Sequence, residues 1–344
     1  MLIMVAVAQS LGEGSGVGGA KGGLRWERAT EEKVMPWVVG IDEAGYGPSL
    51  GPLVQAMVVW HWCQPEPLDW AALQKWIRRV GEPADGRVLI DDSKQVYTRY
   101  GWYALEEALV RTLHLQRQCW HQWLSRMALP SSVAEVMVEE WFDGQEMIPR
   151  QDYPPLQQPP FPVQARLRVL TVAAFNRQCD RCGNKAEVLA QGWTELVHSL
   201  FAANGVQRPL IATTGERVLI FSDKLGGRRY YCGLVQAGFP QAGVWPLQES
   251  ARWSSYRVEQ EKDAVEVHFQ VEADQHNLAV ALASMLAKYV REMCMAQFNR
   301  FWQQRVPELP TTSGYLPHAR RWYARIAPLL RDHGLHADQV WRRR

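Results

Sequence analysis

The chain has no long apolar run, few cysteines and almost no excess charge. No stretch of about 18 or more apolar residues occurs, so no membrane-spanning helix is expected. Residues 2 to 8 are apolar, but no basic residue precedes them and the run is too short for a signal peptide; a cytoplasmic protein is the expectation. The cysteines are Cys63, Cys119, Cys179, Cys182, Cys232 and Cys294, and only Cys179 and Cys182 are close in sequence. Thiols this scattered do not read as a disulfide framework, and one C-x-x-C is half of a zinc site at best. That pair is expected in a helix–helix turn with buried thiols. A net charge of +2 does not announce a nucleic-acid binder, although a local basic face is compatible with it.

What the chain does have is core material. Hydrophobic residues make up 47% of 344, enough for one large domain or two small ones. Residues 1–34 hold a glycine tract with a G-x-G-x-x-G match at Gly14, Gly16 and Gly19. More glycine follows where a dinucleotide loop would open a helix, so the tract reads as a flexible tail.

The organising stretch is Val38-Val39-Gly40-Ile41-Asp42-Glu43-Ala44-Gly45-Tyr46-Gly47-Pro48. It reads as a buried strand that delivers two carboxylates into a glycine turn. Buried acids are unfavourable unless a cation shares them, and glycines let a polyanion approach closely. A second apolar run covers residues 52–61, and a short helix is expected over 68–79. Asp91-Asp92-Ser93-Lys94 precedes a helical pattern at about Arg99–Leu113; it suits a helix cap and a phosphate-contacting Lys94 equally well. A strand is expected over 113–121, a proline-rich region over 130–165 with an acidic amphipathic piece near Val133–Phe142 and a long loop at Pro149–Pro162, and helices over 164–178 and 186–204. Arg217–Ser222 repeats the opening logic and ends in Asp223, with Lys224, Arg228 and Arg229 close behind. Residues 264–273 alternate apolar and polar, as a half-exposed strand does, and lead to Asp274 at an expected N-cap. A long helix rich in small residues follows from about His276 to Trp302. Arg291 and Glu292 lie some five turns along it, about 25 Å from Asp274, and are set apart from its site. Gly314-Tyr315-Leu316-Pro317 breaks the chain before a last basic helix at about His318–Leu330, and Arg342 to Arg344 are expected to fray.

Asp42, Glu43, Asp223 and Asp274 are four carboxylates with no obligatory His or Cys, a set that suits hard cations such as Mg²⁺ or Mn²⁺. Two such ions can clamp an in-line displacement at phosphorus. Asp42 and Glu43 are neighbours on a strand, so sharing a site requires the strand to bend or end between them.

GIDEAGYGPSLGPLV resembles the G-I-D-E-A-G-R-G-P-x-x-G-P motif of ribonuclease HII, the type 2 ribonucleases H. Asp92-Ser93-Lys94 resembles that family's D-S-K, RVLIFSD the strand of its third acid, and Ala273-Asp274 followed by ALASMLAKYVRE its A-D and A-A-S-I-x-A-K-V-x-R-D block. Ser313-Gly314-Tyr315 resembles its S-G-Y. The motifs run in family order over about residues 36–330. The resemblance implies an α/β, ribonuclease H-like mixed sheet flanked by helices, with a C-terminal helical part. The implied layout is a tail over 1–34, a catalytic domain over 35–305 with an insertion at about 125–210, and the helical part over 306–344. It also implies a monomeric endonuclease using Mg²⁺ or Mn²⁺ to cut the RNA of RNA–DNA hybrids or ribonucleotide-containing duplexes. Asp42, Glu43, Asp223 and Asp274 would bind metal, and Ser93 and Lys94 would touch phosphates. Gly45, Tyr46 and Gly47 would meet the ribose 2′-hydroxyl, and Tyr315 would stack on the neighbouring deoxyribose. Tyr46 stands where the family has arginine, exchanging a phosphate-pairing cation for an aromatic face. The interval from Asp92 to Asp223 is also longer than usual in that family. Two alternatives stay open: a non-catalytic hybrid-binding module, and a nuclease of the same fold acting on another nucleic acid.

Overall fold

The computed structural model describes residues 36–62, 68–153, 163–201, 209–211, 217–259 and 264–343. The glycine tract with its G-x-G-x-x-G match, Cys63, residues 154–162 of the proline-rich loop and Arg344 lie outside the described residues.

Seven strands build the main sheet: β1 (Trp37–Ala44), β2 (Leu53–His61), β3 (Val163–Leu170), β4 (Arg217–Asp223), β5 (Gly243–Glu249), β6 (Trp253–Glu259) and β7 (Ala264–Gln270). Their order is β3-β2-β1-β4-β7-β6-β5. The β3-β2-β1 half and the β7-β6-β5 half are antiparallel meanders, and β4 joins them by pairing parallel with both β1 and β7. β1 and β2 are covered on both faces, which is why they read as near-continuous apolar runs.

Two helical layers cover the sheet. On one face α1 (Ser93–Tyr100), α2 (Trp102–Leu113) and the N-terminal half of the long helix α5 (Leu278–Arg305) enclose Val38, Val54, Ala56, Val58 and Trp60. On the other, α4 (Lys185–Phe201) and the short helix Cys232–Gly238 cover Val39, Ile41, Val218, Ile220 and Phe269. This is the mixed sheet flanked by helices that the resemblance implies. The C-terminal half of α5 and α6 (His318–Ile326) share a further core around Trp302 and Trp322. No helix among the described residues is long and apolar enough to cross a membrane.

Small residues bring α5 onto the sheet. A Cβ at Gly40 would lie 2.1 Å from the Ala279 carbonyl carbon and 2.3 Å from Val280 N, so helix backbone rests directly on strand backbone. Gly40→Ala is therefore expected to lower stability by about 3 kcal/mol or more, at or beyond the upper end for overpacking, because neither backbone can step aside. A shift in the urea midpoint measures it, and an unchanged midpoint would contradict the contact.

Several expectations are corrected. Residues 163–170 form β3, not the start of a helix: Val163-Gln-Ala-Arg-Leu-Arg-Val-Leu alternates with period two, but its arginines are buried and hide the pattern. Arg168 donates to Gln55 (3.0 Å), Gln178 (2.6 Å) and Glu195 (2.7 Å), partners on β2, α3 (Val172–Cys182) and α4. Residues 68–79 hold one helical turn, Trp70–Leu73, and a two-residue strand, Ile77–Arg78. Residues 113–121 supply only Gln118–Cys119 as strand before an unanticipated helix, Trp120–Met127. The 99–113 helix is split at Gly101, whose φ of 76° ends α1. The β5–β6 hairpin has no counterpart in the sequence reading. Cys179 and Cys182 do close α3 at a helix–helix turn, where Gly183 adopts a left-handed conformation, but only Cys179 is buried; Cys182 is partly exposed. Finally, Arg342 and Arg343 do not fray: Arg342 is buried, and Arg343 pairs with Asp180 and Asp338.

Candidate active site

Three of the sheet's strands are mutually parallel, so their carboxyl ends reach one edge, the place where open α/β sheets bind ligands. β1 pairs with β4 as far as Ile41↔Ser222; the next residues are Asp42 and Asp223. β1 runs on to Ala44 against β2 alone, with Asp42 and Glu43 both past the last β4 pairing. β7 ends at Gln270, opposite Asp223. The chain then turns at Glu272, which has a φ of 56°, into the single helical turn Ala273–His276 that carries Asp274.

Asp274 is therefore neither at a strand end nor an N-cap. The cap of α5 is Asn277, whose Oδ1 accepts from the amides of Ala279 (3.0 Å) and Val280 (3.1 Å). Asp223 holds the Asp274 turn in place, since its Oδ1 accepts the Ala273 amide at 3.2 Å.

The acids share one field. Burial pushes the Asp42 carboxyl well above the usual carboxylate range, and the charges of Glu43, Asp223 and Asp274 push it further. Glu43 is raised to about 7 by burial and by Asp223, against which the Lys94 ammonium works. Asp274 is raised to about 6 by burial, then by Asp92 and Asp223. Asp223 is raised by burial, while the backbone amides of Ala273, Lys224 and Glu272 and the charge of Lys94 oppose the shift. Among the described residues, however, no group of three or more His, Cys, Asp or Glu side chains is gathered so that it could hold a metal ion. The four carboxylates lie within each other's electrostatic reach without forming a closed coordination shell. As a donor set they fit a hard cation: all are oxygen ligands, and all would be relieved by added positive charge.

Asp91 and Asp92 divide into two structural roles. Asp91 takes Arg79 at 2.7 Å, and Asp92 caps α1 by accepting the Lys94 and Gln95 amides. Lys94 is exposed and acts on three of the four acids. Ser93 is buried, and its hydroxyl lies 2.9 Å from that of Ser284 on α5. Ser284 in turn bonds to the Asp42 carboxylate. Ser93 is thus tied to α5, a placement that leaves Lys94 as the member of the pair facing the acids. Ser284 was overlooked because an apolar helix with a single serine reads as core.

The glycine turn sits beside the acids. Gly45 has a φ of 90°, and a Cβ there would lie 2.5 Å from Pro52 O and 2.6 Å from Arg291 Nε. Gly47 faces Tyr315, whose ring would be 3.6 Å from a Cβ. Tyr315 is exposed and is brought there by Gly314, whose carbonyl accepts the Ser49 amide at 2.9 Å. Arg291 is buried beneath, donates to Ser313 O at 2.7 Å and lies 5.6 Å from the Tyr315 ring centroid. Its distance from Asp274 along α5 does not remove it from the site. From Ser284 to Arg291 the helix climbs about 10 Å, and from Asp42 to Gly45 an extended chain covers about the same, so strand and helix keep step. Tyr46 is half-buried, with the Lys185 ammonium 4.6 Å from its ring centroid. A cation thus stands next to the aromatic between the two glycines, carried by the first residue of α4.

No protein-family model matches the chain, and no curated protein matches it. Among solved structures it is similar to the ribonuclease H2 of Pyrococcus horikoshii OT3, with a TM-score of 0.43 and 15% identity over 88% of this chain and 92% of that one. It is similar to RNase HII of Archaeoglobus fulgidus, solved as a complex with PCNA, with a TM-score of 0.40 and 16% identity over 90% and 95%. It is also similar to Bst-RNase HIII in complex with Mn²⁺, with a TM-score of 0.43 and 16% identity over 90% of this chain and 67% of that one. Its likeness to ribonucleases HII and HIII therefore extends over about nine-tenths of the chain, at low identity.

Proposed function

We propose that this chain is a metal-dependent endonuclease that hydrolyses the RNA strand of RNA–DNA hybrids, as a divergent type 2 ribonuclease H. The observation that carries the reading is the electrostatics of the sheet edge. Burial raises the carboxyls of Asp42, Glu43 and Asp274, and the charge of Asp223 raises all three further. A purely structural edge has no use for such a cluster.

Asp42, Glu43, Asp223 and Asp274 would hold Mg²⁺ or Mn²⁺. A bound ion pair would supply a nucleophile from water at neutral pH and neutralise charge developing on the phosphate and the leaving oxygen. The chain's own groups do the rest. Lys94 offers a cation to the phosphate on one side of the acids, and Ser93 and Ser284 orient the Asp42 carboxylate. The glycine turn lets the sugar–phosphate backbone approach, and Tyr315 offers a ring face beside Gly47 for a neighbouring sugar. Lys185 offers a further cation beside the Tyr46 ring. On this reading the protein acts as a monomer in the cytoplasm.

The test is cleavage of a uniform RNA–DNA hybrid, a duplex with a single ribonucleotide and an all-DNA duplex, with Mg²⁺ or Mn²⁺. Cutting confined to ribonucleotide-containing substrates is expected. Binding without cutting in either metal would favour a hybrid-binding module, to which the unclosed acid cluster lends weight. Equal cutting of all-DNA would favour a nuclease with another substrate, to which Tyr46 lends weight.

A further inference from the structure

Arg342 is a buried cation that the nuclease reading leaves unused. Its guanidinium donates to the carbonyls of Gly45, Pro48 (3.5 Å) and Gly51 (2.6 Å), and its amide donates to Ser49 O at 2.9 Å. The guanidinium carbon lies 4.6 Å from the Phe175 ring centroid. Among the described residues no carboxylate pairs with it, and burial together with the like charge of Arg291 lowers its pKa to about 9. Desolvating a guanidinium without an anion is unfavourable. Here the compensation comes from backbone carbonyls of one seven-residue turn.

The segment around Arg342 has its own seat. Asn176 on α3 is buried; its Nδ2 donates to Asp338 O and Trp341 O, both at 2.9 Å, and its Oδ1 accepts the Arg343 amide at 2.6 Å. Arg343 reaches Asp180 on the same helix. The α3 helix, otherwise without a role at the site, is thus the platform on which residues 338–343 are docked.

We propose that Arg342 is a positioning residue of the active site: by drawing the carbonyls of Gly45, Pro48 and Gly51 inward it sets the peptide planes of the glycine turn that meets the ribose. In a planar trans peptide the N–H points opposite to the C=O. With the Gly45 carbonyl held towards Arg342, the Tyr46 amide is directed away from it, towards the face that Gly47 and Tyr315 share. Arg291 supports the same turn from α5, so the turn is held from below by two cations that touch none of the four acids. The inference rests on the nuclease reading for its consequence in catalysis, but not for the clamp itself.

The test compares wild type with R342M, R342K and N176A. Hydrogen exchange in peptides spanning residues 42–53 is measured alongside kcat and KM on a single-ribonucleotide duplex and an all-DNA duplex. In R342M, exchange within residues 45–51 is expected to quicken by about tenfold or more with the sheet peptides unchanged. Turnover should fall by about 10–100-fold, the loss falling on kcat and on the preference for ribonucleotide over all-DNA rather than on KM. R342K, which keeps the charge but lacks the fork, should recover part of both, and N176A should show a weaker form of the same pattern. If R342M does not fold, R342K and N176A decide the matter. Unchanged protection of residues 45–51 would overturn the proposal, as would a rate loss that follows a general rise in exchange. If the wild type cuts none of the duplexes, the nuclease reading fails, while the exchange arm still decides whether Arg342 sets the turn.

Discussion

Asparagine in place of Asp42 is expected to abolish cleavage and, at the same time, to raise the thermal midpoint of the metal-free protein. The two effects have one cause. The Asp42 carboxylate is buried beside three other acids, so ionising it there is unfavourable, and only an added cation repays that. Asparagine keeps an acceptor for the Glu43 amide, now 2.8 Å from Asp42 Oδ1, and for the Ser284 hydroxyl, but removes the charge. The gain is about 1.4 kcal/mol for each unit by which the wild-type carboxyl is raised, counted only up to the pH of the measurement. In a large domain each such kcal/mol is worth about 2–4 °C. The loss of turnover should be at least about 10³-fold, since on the proposed function a metal-binding charge rather than a spectator is deleted. Calorimetry and a cleavage assay on the same preparation check both halves. A variant with wild-type turnover would remove Asp42 from the metal set, and a lowered midpoint would contradict the repulsion.

The second large effect is a coupling between pH, divalent ions and stability. Glu43 is raised from 4.5 to about 7 and Asp274 from 3.8 to about 6, so each binds its proton more tightly in the folded protein than in the unfolded chain. The stabilisation from those protons is fully present below the unfolded values and is lost as pH rises through about 6 to 7. Without metal, the protein should therefore be less stable at pH 8 than at pH 5.5. Asp91 and Glu146, whose carboxyls are held below their usual range by Arg79 and by Gln297 with Arg150, act in the opposite sense at lower pH. The informative quantity is thus the difference between wild type and Asp42→Asn across the window. Mn²⁺ or Mg²⁺ should stabilise wild type more at pH 8 than at pH 5.5, because binding displaces those protons, and should do little for the variant. Thermal midpoints across this range, with and without Mn²⁺, read both. A metal-induced shift independent of pH would separate the ion from these carboxylates.

How far the site was legible depended on where each residue's partner lies. Asp42, Glu43 and Asp223 could be read because each ends an apolar run, a local pattern that needs no partner to be seen. Asp274 was read as an acid of the site, but its setting was not: the strand stops at Gln270, and a left-handed Glu272 and one helical turn intervene. Nothing in the alternation of residues 264–273 marks that stop, because the last pairing is decided by where β4 ends. The β3 strand was hidden for a similar reason. Arg166 and Arg168 look like the polar face of a helix until Gln55, Gln178 and Glu195 converge on Arg168 from three elements.

By itself the sequence determined the chemical inventory and its order: four carboxylates, a lysine behind a capped helix, a glycine turn and a tyrosine after a chain break. Those are properties of residue type and spacing, which short-range sterics and charge make readable. Only the tertiary structure decided that Ser284 orients Asp42, that Arg291 and Arg342 lie under the glycine turn, and that Lys185 stands over Tyr46. Their partners are backbone carbonyls, a ring face and a hydroxyl from distant segments. Such acceptors carry no sequence signature, and they come together only in the folded chain, where α5 lies directly on Gly40.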